Sequence, residues 1–148
     1  MSDNILRIIP TDPAYLPDAA TQTLGYALFS SFVAKADKIQ ALVLDEIQFI
    51  DPGENFVSVT CPVCGADLGD WWQGVMDNAY QNHFENLTIT TPCCESTGSL
   101  NDLVYEGPAG FARYILEAKN PVNDVSEAQL NMLGNILKCG LRKITARI

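Results

Sequence analysis

Four cysteines in this sequence have the type and spacing that a metal site requires. Cys61 and Cys64 are separated by two residues, and Cys93 and Cys94 are adjacent further along the chain. Two thiolates at the first spacing can close on one tetrahedral metal ion, and a second pair completes a shell of four sulfur ligands. The sequence therefore predicts one zinc ion as cofactor, with these ligands: Cys61, Cys64, Cys93 and Cys94.

Residues 61–65 have the sequence CPVCG, which resembles the CPxCG element of zinc ribbons and zinc knuckles. Pro62 favours a turn between the two sulfurs. Gly65 can adopt the left-handed conformation that directs backbone N–H groups towards a thiolate. The resemblance identifies a type of site and no protein family.

Two alternatives stay open for the cysteines. The Cys-x-x-Cys spacing is shared with thioredoxin-like redox pairs, which sit at the start of a helix; here residues 65–69 place a loop before the next predicted helix. Adjacent side chains in an extended chain point in opposite directions, so Cys93 and Cys94 reach one ion only if the chain turns there. If only one reaches it, His83, the single histidine, is the alternative fourth ligand. Cys139 is interpreted as a packed residue at a helix end.

Two functions are compatible with such a site. A catalytic zinc keeps one position open and needs a nearby base, for which Glu85 and Glu95 are the candidates. Neither acid lies in a recognised signature, and no His-x-Glu element precedes the cysteines as in zinc deaminases. The favoured function is a zinc-binding protein with a structural site that acts as a protein-binding or regulatory module. The alternative is a small zinc-dependent enzyme with an open coordination position.

Composition narrows the choice of partner. The chain has 148 residues, which suits one domain covering 1–148, and its net charge is −9. This charge argues against nucleic acid, because phosphate contacts require clustered Lys and Arg. An acidic surface with an aromatic anchor suits another protein as partner, and Trp71 is the candidate anchor.

The sequence predicts neither a membrane-spanning segment nor a signal peptide. No apolar stretch approaches the roughly 18 residues that a membrane span needs, and the N-terminus lacks the features of a signal peptide. Cysteines without an export signal indicate reduced thiols. We therefore expect a soluble, cytoplasmic protein that does not enter the membrane.

Three helices are predicted from capping residues and apolar periodicity. The first is capped by Asp18 and runs to about Lys35, and its apolar face is expected to comprise Ala20, Leu24, Ala27, Leu28 and Ser31. Gly25 weakens this helix, so a close approach to a sheet is the expected compensation. The second is capped by Asp70. The third begins with a capping box of Ser126 and Gln129 and is stopped by Gly140.

Strands are predicted at seven places: Ile5–Ile9, Ile39–Ile50, Phe56–Thr60, Leu87–Thr91, Leu100–Glu106, Phe111–Ala118 and Arg142–Ile148. The turn at residues 51–54 predicts that Phe56–Thr60 returns as the hairpin partner of Ile39–Ile50. Periodicity alone does not distinguish helix from strand for Phe111–Ala118. Asn120-Pro121 follows too soon for a packed helix, so we predict a strand.

The order of elements predicts an α+β fold with an antiparallel sheet and helices on one face. A strand, Asp12-Pro13 and a helix near the N-terminus match a strand, Asn120-Pro121 and a helix near the C-terminus. Two such units around one sheet resemble the ferredoxin-like arrangement. The zinc-binding segment, residues 61–99, is then an insertion between the two halves.

Overall fold

A computed structural model describes residues 3–148. It contains eight strands and three α-helices. In chain order they are β1 (Asn4–Pro10), α1 (Ala19–Phe32), β2 (Lys38–Ile50), β3 (Ser58–Thr60), α2 (Gly69–Gln81), β4 (Thr88–Thr90), β5 (Thr97–Ser99), β6 (Val104–Glu106), β7 (Gly110–Lys119), α3 (Glu127–Leu137) and β8 (Leu141–Arg147).

The central sheet has four strands in the order β2-β7-β1-β8, and every neighbouring pair is antiparallel. It is built from two strand–helix–strand units, β1-α1-β2 and β7-α3-β8. The α+β prediction is therefore confirmed, and the strand order is that of the ferredoxin-like arrangement. Residues 51–109 connect the two units, a longer segment than residues 61–99. The assignment of one domain with an insertion stays a prediction.

Helices α1 and α3 pack on one face of the sheet around a common buried cluster. Its fully or nearly fully buried members are Leu6, Ile8, Phe29, Val33, Tyr114, Leu116, Ala118, Val125, Leu133 and Leu137. Residues 6 and 8 of β1, and 114, 116 and 118 of β7, alternate along their strands. Side chains with this period of two point to the same face of a sheet, so the strands contribute one continuous apolar surface to the helices.

The predicted apolar face of α1 is largely wrong, because only Leu28 of its five residues packs against the buried cluster. The buried residues of this helix are Thr21, Gly25 and Phe29, whereas Leu24 is exposed. A methyl group at position 25 would collide with the side chain of Leu137, so the close approach is to α3 and not to the sheet. Contact between the two helices therefore decides which face of α1 is buried.

Helix ends are partly as predicted. The Asp18 carboxylate accepts from the backbone N–H of Thr21, and the capping box of Ser126 and Gln129 is complete. Asp70 is not the cap of α2, because the residue preceding this helix is Leu68, without a side-chain cap. Gly140 does not stop α3, which ends at Leu137 with Lys138 in the left-handed conformation. No helix described in residues 3–148 has both the length and the apolar character of a membrane span.

The predicted hairpin between β2 and Phe56–Thr60 is also wrong. Strand β2 pairs with β7, and β3 pairs with β6. After β2 the chain crosses to β8, where the Arg147 N–H donates to Pro52 O and the Glu54 N–H donates to Arg147 O. Gly53 has φ +62, and a Cβ there would collide with Arg147 O. This contact directs the chain away from a return along β2.

The connecting segment has a buried cluster of its own. It gathers Val59, Leu68, Trp72, Leu103 and Tyr105 and extends onto Phe111 of β7. Aromatic rings pack closely within it: the centroids of Phe56 and Trp72 lie 5.4 Å apart. Residues Leu100–Asp102 form a 3₁₀ turn before β6, where the sequence predicted a continuous strand. Strand β7 itself is confirmed, and most of its residues are buried.

Candidate metal centre

The first cysteine turn, residues 61–66, follows β3. It is closed by two backbone hydrogen bonds, from the Cys61 N–H to Ala66 O (2.9 Å) and from the Gly65 N–H to Cys61 O (3.0 Å). Gly65 has φ +77, the left-handed conformation that its sequence position predicted. An antiparallel bridge between Thr60 and Asp67 joins the two sides of the turn. The turn therefore holds both of its cysteines on a fixed backbone.

The second cysteine turn, residues 91–96, lies between β4 and β5 and repeats this pattern. The Thr91 N–H donates to Ser96 O (2.9 Å), and the Glu95 N–H donates to Thr91 O (2.9 Å). Glu95 has φ +56, and the flanking residues Thr90 and Thr97 are paired. The chain thus turns at Cys93 and Cys94, which is the condition for both sulfurs to point the same way.

The two turns bring four sulfur atoms together. All four Sγ atoms lie within 4.8 Å of one another. The Sγ of Cys61 lies 3.7 Å from that of Cys94, and the Sγ of Cys93 lies 3.2 Å from that of Cys64 and 3.9 Å from that of Cys94. Cys61 is buried, whereas the other three residues are exposed. The sequence-predicted site residues are therefore neighbours across both turns.

The sulfur spacing fits a tetrahedral metal ion. Zinc–sulfur bonds of about 2.3 Å in a regular tetrahedron separate the sulfurs by about 3.8 Å. Two of the sulfur separations, 3.7 and 3.9 Å, agree with this value, a third is shorter at 3.2 Å, and none exceeds 4.8 Å. The four thiols can therefore hold one metal ion with small adjustments of their side chains.

Hydrogen bonds favour the thiolate form at two of these positions. Backbone amides of Cys64 and Val63 donate to the sulfur of Cys61 and lower its pKa to about 6. Hydroxyl groups of Ser96 and Thr91 lower the pKa of Cys94; their oxygens lie 3.1 and 3.5 Å from its sulfur. Each donor stabilises negative charge on sulfur, which is the form that binds metal.

Cys93 differs from these two. Hydrogen-bonding contact with the sulfur of Cys64, followed by desolvation, raises the pKa of Cys93 to about 12. Thiols this close do not all ionise together, because the negative charges repel. A divalent cation among the four sulfurs would remove that repulsion. The arrangement is therefore chemically suited to a cation.

The other predicted candidates lie outside the sulfur cluster. His83, the alternative ligand, has φ +58, and its Nδ1 lies 3.0 Å from Oε2 of Glu46. Burial raises the pKa of Cys139 to about 11, in agreement with its interpretation as a packed thiol. Trp71, the expected anchor, is half-buried against the cluster of the connecting segment. Tyr80, which the sequence analysis did not single out, is 72% exposed.

Sequence reasoning also missed the part that Thr91 plays. When the two turns are aligned on Pro62 and Pro92, Cys64 matches Cys94, and Thr91 occupies the place of Cys61. Cys93 then occupies the place of Val63. The shared proline was the available signal, and pairing cysteine with cysteine obscured it.

No protein-family model, curated protein or solved structure matches this chain.

Proposed function

We propose that this protein binds one zinc ion through four thiolates and that the ion has a structural role. The ligands are Cys61, Cys64, Cys93 and Cys94. The observation that carries the proposal is the spacing of their sulfurs, which is close to that of a tetrahedral zinc–sulfur site. The ion would cross-link two turns that no disulfide joins.

Sulfur ligands select among metals. Four thiolates in a tetrahedron suit zinc or iron, whereas magnesium and calcium require oxygen ligands. The CPVCG sequence of residues 61–65 resembles the zinc-ribbon element and favours zinc. Four sulfurs also fill a tetrahedral shell, which favours a structural role over catalysis.

Elemental analysis of protein purified without added metal tests this proposal. We expect close to one equivalent of zinc, an absorption edge characteristic of zinc–sulfur ligation, and loss of the metal in Cys61→Ser. Cys139→Ser is the matched control, because this thiol lies outside the cluster and should leave the metal content unchanged. A folded, metal-free protein with a Cys61–Cys64 disulfide would contradict the proposal, and one equivalent of iron would reassign the metal.

The module acts, in our proposal, by binding a protein with a basic surface. Support comes from the net charge of −9 and from a groove between α2 and the irregular part of β2. Apolar and aromatic side chains line it together with two acids, two glutamines and His83, which lies 3.0 Å from Glu46: Glu46, Ile47, Gln48, Phe49, Met76, Asp77, Tyr80, Gln81, His83 and Phe84. An aromatic side chain beside carboxylates can anchor a basic, partly apolar segment.

A binding assay distinguishes this groove from the surface in general. A partner captured by the immobilised protein would be identified, purified and titrated against the variants. We expect Tyr80→Ala and added salt to weaken binding, because the first removes the anchor and the second screens the carboxylates. Val122→Ala is the control, since Val122 is similarly exposed but does not line the groove. Equal affinity of Tyr80→Ala and Val122→Ala would rule out the groove.

A further inference from the structure

The two cysteine turns share one pattern of backbone hydrogen bonds, but their cysteines stand at different positions within it. In each turn the first residue donates and accepts the closing hydrogen bonds, and the fourth is a cysteine. In the first turn both positions are cysteines, Cys61 and Cys64. In the second turn the first position is Thr91, so only Cys94 stands at a matching place.

Thr91 is buried, and its hydroxyl group is hydrogen-bonded within the turn. Its side chain is buried, with 2% of the residue exposed. The hydroxyl oxygen accepts from the Ser96 N–H at 3.1 Å and lies 3.5 Å from the sulfur of Cys94. Thr91 therefore supports the neighbouring ligand in place of a cysteine at this position.

The fourth sulfur comes from the outer side of the turn. Cys93 matches Val63, and Val63 is 69% exposed, so a side chain at this position of the turn faces solvent. The sulfur of Cys93 nevertheless lies 3.2 Å from that of Cys64. Both hydroxyl groups at the second turn lie within 3.5 Å of the sulfur of Cys94, whereas the short contacts of the Cys93 sulfur are with the sulfurs of Cys64 and Cys94, at 3.2 and 3.9 Å. The Thr91 hydroxyl also interacts with Cys93.

From these positions we infer that Cys93 is the exchangeable ligand of the site and that a thiolate from outside the protein can take its place. The inference rests on the proposed metal site and specifies its chemistry. Cys61, Cys64 and Cys94 hold the ion on the shared turn backbone. Cys93 closes the shell from the solvent side. An incoming thiol loses its proton and its sulfur binds the ion, while the bond between the ion and the Cys93 sulfur breaks and the released Cys93 thiolate takes up a proton, with no change of oxidation state.

Cobalt substitution tests the inference, because the visible and charge-transfer absorption of Co²⁺ reports the number of thiolate ligands. We expect Cys93→Ala to retain one equivalent of cobalt with a three-thiolate spectrum. Addition of 2-mercaptoethanol should then restore the four-thiolate spectrum. Cys64→Ala is the matched control: this cysteine is also exposed but belongs to the shared backbone positions, so its loss should weaken cobalt binding far more.

A second variant tests the equivalence of the turns. Thr91→Cys combined with Cys93→Val gives the second turn the ligand pattern of the first. We expect four-thiolate cobalt binding that does not respond to 2-mercaptoethanol.

The outcomes separate the two proposals. Failure of the unmodified protein to bind cobalt or zinc would refute the metal site itself. Normal binding by the unmodified protein, together with equal losses in Cys93→Ala and Cys64→Ala, would overturn the exchangeable ligand alone. So would a Cys93→Ala spectrum that 2-mercaptoethanol leaves unchanged.

Discussion

The guanidinium group of Arg142, in β8, donates hydrogen bonds to both the backbone carbonyl and the side-chain amide of Asn101, in the connecting segment. Nη1 of Arg142 lies 3.1 Å from the Asn101 carbonyl oxygen and 3.2 Å from Oδ1. The same Oδ1 accepts from the Phe111 N–H, and Nδ2 donates to Thr11 O. Asn101 is 3% exposed. One buried amide thus joins the connecting segment to three parts of the sheet region.

We predict that Asn101→Ala lowers the free energy of unfolding by about 2–3 kcal/mol. The substitution leaves the buried Phe111 N–H without its acceptor, which costs about 1–3 kcal/mol before the structure relaxes, and it removes the hydrogen bonds of the amide to the Thr11 carbonyl and to Arg142. Denaturant unfolding measures the change. Asn78→Ala, at an exposed position of α2, is the control and should stay within about 0.5 kcal/mol. Equal effects of the two substitutions would show that the network is not important for stability.

Removal of the hydroxyl group should change the free energy of unfolding in opposite directions at two buried tyrosines. Burial raises the pKa of both Tyr105 and Tyr114 to about 12. The Tyr105 hydroxyl donates to Leu100 O (2.6 Å) and accepts from Trp72 Nε1 (3.2 Å). The Tyr114 hydroxyl has no hydrogen-bond partner among the protein atoms described.

Tyr114→Phe is therefore expected to raise the free energy of unfolding by about 1 kcal/mol, since it removes an unsatisfied polar group. Tyr105→Phe should lower it by about 1–3 kcal/mol, because two buried partners lose their hydrogen bonds. Thermal and denaturant unfolding of the pair provide the measurement. Destabilisation by Tyr114→Phe would mean that its hydroxyl is satisfied in solution.

Two helical glycines provide a test of the contact between α1 and α3. A Cβ at position 25 would collide with the fully buried Leu137, whereas one at Gly74 of α2 meets nothing within 4 Å. We expect Gly74→Ala to stabilise by about 0.5–1 kcal/mol through helix propensity. Gly25→Ala should instead destabilise by about 1 kcal/mol, because overpacking outweighs the same gain. Stabilisation by both substitutions would show that α1 can move away from α3.

Low pH should reduce the stabilisation that the Asp18 cap gives to the N-terminus of α1. The backbone N–H of Thr21 donates to the Asp18 carboxylate and lowers its pKa below the ordinary value of 3.8. Because the folded-state pKa is the lower one, this stabilisation is present above pH 3.8 and is lost as the pH falls through the folded value.

Thermal unfolding as a function of pH measures this loss. Asp18→Ala should unfold at lower temperature than the unmodified protein near neutral pH, and the difference should shrink in acid. Asp18→Asn keeps a capping oxygen but has no titrating group. The difference in unfolding temperature between Asp18→Asn and Asp18→Ala should therefore not change with pH. A difference between the unmodified protein and Asp18→Ala that is independent of pH would exclude the charged cap.

Loss of a proposed metal ligand should affect the connecting segment first. We expect Cys61→Ser, which removes a buried proposed ligand, to speed hydrogen exchange over residues 61–99 while β1 and α3 retain protection. These elements belong to the buried cluster under α1, which does not include the cysteine turns. Cys139→Ser is the control. A uniform loss of protection over the chain would show that the segment and the sheet unfold as one unit.

The sequence alone determined features that depend on neighbours within a few residues. Asp18 and Thr21, or Ser126 and Gln129, are three positions apart, so their capping bonds depend on short-range geometry and form as predicted. The left-handed conformation of Gly65 is likewise a local property. The two strand–helix–strand units followed from such local elements and their order along the chain.

Only the tertiary structure decided which distant segments meet. Strand β3 was expected beside β2 because the turn between them permits a hairpin. It pairs instead with β6, since Gly53 and Glu54 are held at Arg147. Leu24 and Phe29 are both apolar, but contact between α1 and α3 buries only Phe29. At the metal centre, the sequence indicated four sulfurs. The shared prolines Pro62 and Pro92 are a local signal for two equivalent turns, but only the backbone hydrogen bonds assign Thr91 to the place of Cys61, because cysteine spacing carries no information about backbone position.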